Sequence, residues 1–151
     1  MRRWVAISIM CLTVATAGLA QDARLRRLDT GVDAGAWEAV GRLDIGGKGF
    51  CTGALIAPRL VLTAAHCLYD RESKQRIDHG EVEFLAGWRN GRAGAYRNVR
   101  RAVVHPDYVY DGVVSSDRVR NDLALLELDR PIRNTTIKPF DTARRPRRGD
   151  Q

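Results

Sequence analysis

The chain has 151 residues, of which 44% are hydrophobic and 28% are charged, and its formal net charge is +7. This length suits one ordinary domain with a single hydrophobic core and excludes two full-sized domains. Arg2, Arg3 and four arginines in the last eight residues account for all but +1 of the net charge, and no aromatic residue lies among those in the tail, which argues against a nucleic-acid partner.

Residues 1–20 have the pattern of an export signal. Two arginines precede an apolar run from Trp4 to Ala17, and small residues follow around Ala20, where a signal peptidase would cut. The run is shorter than the roughly 20 apolar residues that a membrane-spanning helix needs. We therefore expect a secreted or periplasmic protein that has no membrane association once the signal is removed.

The mature chain divides into three parts by composition. Residues 21–36 are polar and lack a sustained hydrophobic period, which predicts a leader or propeptide-like segment. Residues 37–142 are expected to form the folded domain, and residues 143–151 form a basic tail.

Short strand-like segments with turn signals between them fill the folded domain. The predicted strands are 37–45, 50–57, 60–64, 81–87, 95–104 and 122–129. Gly46-Gly47 and Asn90-Gly91 predict tight turns. No segment has convincing amphipathic helix periodicity, so the pattern predicts an all-β barrel or sandwich. The longest connection, residues 105–121, is expected to border a functional surface.

Two cysteines remain after signal cleavage, because Cys11 lies within the signal. In an oxidising compartment Cys51 and Cys67 predict one disulfide. A zinc site is the competing use of such residues, but the chain has no CxxC or HxxxH pair to complete a set of four ligands. We therefore expect neither a metal nor an organic cofactor.

His66 stands beside Cys67 at the end of the segment "CTGALIAPRLVLTAAHC". A disulfide there would hold the backbone next to the imidazole, as a general base requires. The alternative is that the histidine is incidental, since closing a loop of this size stabilises a fold by about 3 kcal/mol whatever the loop contains.

A catalytic imidazole also needs a carboxylate on its second nitrogen. The best candidate is Asp122, which stands at the head of the apolar segment 122–129. The same position suits an acid that only caps the strand, and the sequence position alone does not separate the two roles.

Two segments together resemble the trypsin/chymotrypsin family of serine proteases. "GALIAPRLVLTAAHC" is similar to the family's histidine motif, and "VVHPDY" followed by "NDLALLEL" is similar to the segment that carries its aspartate. The resemblance spans roughly residues 37–140. It implies a single six-stranded Greek-key barrel, the N-terminal half of a two-barrel fold, and serine endopeptidase activity on protein or peptide substrates.

The resemblance also implies a role for each matching residue. His66 would be the general base and acid, Asp122 its orienting partner, and Cys51–Cys67 the disulfide of the histidine loop. Residues 143–151 would begin the linker to a second barrel. The nucleophile of such a site is a serine.

The serine motif of the family, Gly-Asp-Ser-Gly-Gly, does not occur in these 151 residues. The serines after residue 20 are Ser73, Ser115 and Ser116, and none has that context. We therefore expect the His- and Asp-bearing half of a secreted trypsin-like endopeptidase, inactive alone. The alternatives are a catalytically dead single-barrel binding module and one half of a split protease that pairs with a separate second barrel.

Overall fold

The computed structural model describes residues 34–111 and 115–143. The expected signal at 1–20, the leader up to residue 33 and the tail from residue 144 lie outside the described residues. The strands are β1 Val40–Ile45, β2 Gly49–Ala57, β3 Leu60–Thr63, β4 Val82–Ala86, β5 Ala95–Val104 and β6 Ala124–Leu128, and a short helix α1 spans Ser116–Arg120.

The six strands form one closed antiparallel barrel in the order β1-β2-β3-β6-β5-β4. The run β4-β1-β2-β3 within this order is a Greek key, in which the fourth strand returns to lie beside the first. The pairings of β1 with β4 and of β3 with β6 close the sheet, so no barrel strand is left with a free edge. The predicted all-β class and six-stranded Greek-key barrel are confirmed.

All six predicted strands form, with small changes at their ends. β1 starts at Val40 rather than residue 37, because Gly35–Trp37 form a 3₁₀ turn. The turn at Gly46-Gly47 has φ angles of +54° and +71°, and the turn at Asn90-Gly91 has +49° and +80°. Glycine and asparagine adopt this left-handed conformation most readily, so the local sequence was a sufficient signal for both turns.

The helix α1 was not predicted. It has five residues, too few to show a helical hydrophobic period, and it lies inside the connection between β5 and β6. The Ser115 hydroxyl caps its N-terminus by accepting a hydrogen bond of 3.2 Å from the Arg118 backbone N–H. No helix in the described part of the chain is long and apolar enough to cross a membrane.

The barrel interior is closely filled by apolar side chains from every strand. The largest fully buried ones are Phe84, Leu43, Leu55, Leu68, Leu126, Leu128, Ile132, Ile137, Val61 and Val82. Burying each such side chain contributes about 1.5–3 kcal/mol, which makes this core the main source of stability. The core gives the connections at the barrel ends a rigid base.

The register of β3 on β6 decides which residues meet at one end of the barrel. Thr63, the last residue of β3, pairs with Ala124, the first residue of β6. Because the strands are antiparallel, the residues that follow β3 and those that precede β6 leave the sheet at the same end. His66 and Asp122 lie in these two segments.

The predicted disulfide between Cys51 and Cys67 is present, with a Cα–Cα distance of 6.1 Å. It ties the third residue of β2 to the turn after β3, and Cys67 is buried. The segment that carries His66 is thereby attached to the barrel wall by a covalent bond.

Replacing both Cys51 and Cys67 by alanine is expected to lower the free energy of unfolding by about 3 kcal/mol, because the disulfide restricts the conformations of the unfolded chain. Urea denaturation of the double variant and the wild type measures the difference. Wild type in reducing agent should match the variant, and equal midpoints for all three samples would contradict the prediction.

Gly53→Ala is expected to destabilise the barrel by about 1–3 kcal/mol through overpacking. A Cβ at this position of β2 would lie 2.6 Å from Val61 Cγ1 and 3.3 Å from Leu43 Cδ1. Gly49→Ala in the same strand is the matched control, because a Cβ there meets no atom within 4 Å. Thermal unfolding of the two variants would contradict the prediction if they lost equal stability.

Candidate active site

His66 sits in a short 3₁₀ turn, Ala65–Leu68, that follows β3. The neighbours on both sides, Ala65 and Cys67, are buried, and Cys67 is held by the disulfide. The imidazole itself is 46% exposed. The turn therefore fixes the backbone of this residue while it leaves the ring at the surface.

Both carboxylate oxygens of Asp122 bind His66. Oδ2 lies 2.7 Å from the ring nitrogen Nδ1, and Oδ1 accepts a hydrogen bond of 2.8 Å from the His66 backbone N–H. The Asp122 side chain is only 21% exposed. The structure thus brings together the two residues that the sequence analysis singled out, 56 positions apart in the chain.

The direction of the Nδ1 contact follows from the chemistry of the two groups. An ionised carboxylate can only accept, so Nδ1 must carry the proton and a neutral ring then has its free lone pair on Nε2. Among the described residues, none hydrogen-bonds Nε2. A ring held in this tautomer can take a proton at Nε2, and the carboxylate stabilises the imidazolium that forms.

A cleft of about 480 Å³ opens beside His66. The Cys51–Cys67 disulfide forms part of its wall, together with the side chains of Phe50 and Tyr69. The lining also includes charged residues of both signs: Lys48, Asp70, Arg71 and Glu72. Such a mixed apolar and charged surface can contact a polypeptide through both its side chains and its backbone.

Asp70 organises the loop at the mouth of the cleft. Its Oδ1 accepts hydrogen bonds from the Ser73 backbone N–H and the Ser73 hydroxyl, each 2.8 Å long, and from the Glu72 N–H. These bonds, with that from the Ser73 backbone contributing most, lower the pKa of Asp70 below its ordinary value. Asp70 therefore keeps its negative charge at neutral pH.

The three serines that follow residue 20 lie outside the site. Ser73 donates to Asp70, Ser115 caps α1, and Ser116 is an exposed residue of that helix. None of them lines the cleft beside His66. The structure gives no reason to assign the nucleophile to any of them.

Cys51, His66 and Cys67 place one nitrogen and two sulfurs within 4.8 Å of one another, a spacing that a metal ion could bridge. Zinc and other soft metals bind cysteine as the thiolate. The two sulfurs are joined to each other in the disulfide, so the donor chemistry does not fit a metal site.

An aromatic cluster beside the His66–Asp122 pair was missed by the sequence analysis. Tyr69 stacks on Tyr110 with ring centroids 5.0 Å apart, and it contacts Tyr108 at 5.9 Å. The Arg118 guanidinium lies 4.7 Å from the centre of the Tyr110 ring. The available signal was the two tyrosines in the longest connection, "HPDYVY", but nothing local indicated which partner they would meet.

Comparisons with known proteins agree with this geometry. The sequence profile of the family described as Trypsin matches residues 30–151. A trypsin from Phaedon cochleariae is 36% identical over 94 residues, which covers 60% of this chain and 32% of that protein. Human granzyme M is 35% identical over 95 residues, which covers 62% of this chain and 33% of that protein.

A solved structure of a Glu endopeptidase in complex with MPD superposes with a TM-score of 0.51 at 25% identity. The match covers 62% of this chain and 40% of that one. The aligned part of the chain spans about a third of the length of the Phaedon cochleariae and human relatives. The profile match, the relatives and the shared barrel agree, and the chain belongs to the trypsin family of serine proteases.

Proposed function

We propose that His66 and Asp122 are the base and the orienting acid of a serine endopeptidase, and that the serine lies outside these 151 residues. The observation that carries the proposal is the 2.7 Å contact between His66 Nδ1 and Asp122 Oδ2. It sets the tautomer in which Nε2 can accept a proton, and it occurs in a chain of the trypsin family.

The proposed reaction is peptide-bond hydrolysis through an acyl intermediate. As the serine oxygen attacks the substrate carbonyl carbon, its proton passes to His66 Nε2. The imidazolium then gives this proton to the leaving amine, and water hydrolyses the acyl intermediate by the same steps. Asp122 keeps the ring oriented and remains ionised throughout.

The geometry around His66 supports this role in a second way. Asp122 binds the ring and the backbone N–H of the same residue, so the imidazole cannot rotate without losing a charge-assisted hydrogen bond. A base that is held in this way loses little entropy when the transition state forms. An exposed histidine that were merely incidental would need no such support.

We further propose that the protein is exported and acts on protein substrates outside the cytoplasm. The pattern of residues 1–20 and the disulfide support export, since disulfides persist mainly in oxidising compartments. The cleft beside His66 supports a polypeptide substrate, because both apolar and charged groups line it.

The 151-residue chain alone is expected not to react with a fluorophosphonate probe, which labels an activated serine. Ser73, Ser115 and Ser116 have hydroxyls that no described histidine activates. The measurement is probe labelling of the purified chain and of its His66→Ala variant. Labelling that disappears in the variant would contradict the prediction, because it would require a serine within these residues.

The complete reading frame that contains this sequence is expected to lose about 10⁶-fold in kcat with His66→Ala. Asp122→Asn is expected to cost about 10⁴-fold, because the amide favours the wrong tautomer. Peptide-substrate kinetics measure both losses. The matched control is His79→Ala, since His79 is also exposed and lies near a carboxylate, with Nδ1 3.6 Å from Asp78 Oδ1.

The same experiment separates the alternatives. If the protein expressed from the complete reading frame has no reactive serine, and mixing it with a second barrel produces no peptidase activity, the barrel is a binding module. If the His66 and His79 variants lose equal activity, the assignment of His66 is wrong.

A further inference from the structure

The segment that carries Asp122 is connected to the segment that carries His66 by a second route besides their direct hydrogen bonds. Tyr69 follows His66 by three residues, and α1 ends two residues before Asp122. The rings of Tyr69 and Tyr110 are nearly parallel, with an interplanar angle of 14° and a centroid distance of 5.0 Å. This stacking joins the His66 segment to Tyr110, which lies in the same connection as α1.

Arg118, a residue of α1, links this helix to Tyr110. Its guanidinium lies over the Tyr110 ring at 4.7 Å, within the range of a cation–π contact. Its Nε donates to the Tyr108 hydroxyl at 3.4 Å, and one terminal nitrogen lies 4.0 Å from Asp111 Oδ1. The Arg118 side chain is only 14% exposed, although it belongs to a surface helix.

The tyrosines present a stable surface to the guanidinium. Burial raises the pKa of Tyr108 above its ordinary value, although the hydrogen bond from Arg118 opposes this shift. The phenol therefore stays protonated through the neutral range. Tyr108 is buried and also contacts Tyr69, at a centroid distance of 5.9 Å.

From α1 the connection continues to Asp122 through the backbone. The Asp122 N–H donates a hydrogen bond of 3.3 Å to the carbonyl of Val119, which follows Arg118 in the chain. The Asn121 N–H donates to the Asp117 carbonyl at 3.2 Å. A displacement of α1 would therefore move the backbone of Asp122, whose carboxylate must stay within hydrogen-bond distance of His66.

We infer that Arg118 is a positioning residue: through its contact with the Tyr110 ring, which in turn stacks on Tyr69, it holds α1 in place and keeps the Asp122 carboxylate on His66. The inference rests on the proposed function of that pair. The contacts described above link Arg118 to Tyr108, Tyr110 and Asp111, and we infer that it acts on the pair through the position of α1.

The test is NMR of the chain labelled with ¹⁵N-histidine. A proton held between Nδ1 and a carboxylate exchanges slowly with water and gives its own resonance. If this resonance persists in the His79→Gln and His105→Gln variants, it belongs to His66. In Arg118→Ala this resonance is expected to disappear or to exchange about tenfold faster, since a cation–π contact and a hydrogen bond are lost. Arg118→Lys keeps the charge without the planar group, and its exchange rate is expected to lie between those of the wild type and Arg118→Ala.

Arg120→Ala is the matched control, because Arg120 is an exposed arginine of the same helix. It removes the same charge and is expected to leave the resonance unchanged. Circular dichroism of each variant checks the fold. A folded Arg118→Ala variant with the wild-type exchange rate would overturn the inference and leave the proposed function intact.

If Arg118→Ala does not fold, a second pair of variants tests the inference. Tyr69→Phe keeps the ring and is expected to keep the resonance, whereas Tyr69→Ala is expected to lose it. Equal exchange rates in these two variants would overturn the inference. Absence of the resonance from the wild-type chain would instead count against the His66–Asp122 pair, and so against the proposed function itself.

Discussion

The antiparallel pairing of β3 with β6 is the constraint on which the site depends. These strands are far apart in sequence, and the barrel is closed only when they pair. With Thr63 opposite Ala124, the turn after β3 and the segment before β6 leave the sheet side by side. A slip of one residue would reverse the face of every side chain in β6, and the buried Leu126 and Leu128 would face water. The core therefore enforces the register that brings His66 to Asp122.

Local anchors then convert this proximity into a defined geometry. The disulfide and the buried residues Ala65 and Leu68 hold the His66 turn against the barrel wall. Asp122 adds hydrogen bonds to the ring and to the backbone of the same residue. An imidazole that is almost half exposed would otherwise sample several rotamers. Order at this surface position therefore comes from the groups that hold the ring.

The strands and the disulfide were predictable because their signals are local. Alternating burial in β1, with Leu43 and Ile45 inward, follows from a two-residue period, and the Asn90-Gly91 turn follows from backbone preferences. The helix α1 and the stacking of Arg118 on Tyr110 were not predictable in this way. Five residues carry too little periodicity to identify a helix, and an arginine in a polar connection has many partners that the sequence alone cannot rank.

For this protein the sequence by itself determined the class of fold, the pairing of the two cysteines and the identity of the histidine and aspartate that resemble the family's motifs. Each of these depends on residue type and spacing over a short stretch of chain. Only the tertiary structure decided that Asp122 binds His66 instead of capping its own strand, and that an arginine on α1 stacks against tyrosines beside the pair. The physical reason is that these contacts join residues from different connections, and their distances are set by the closure of the barrel.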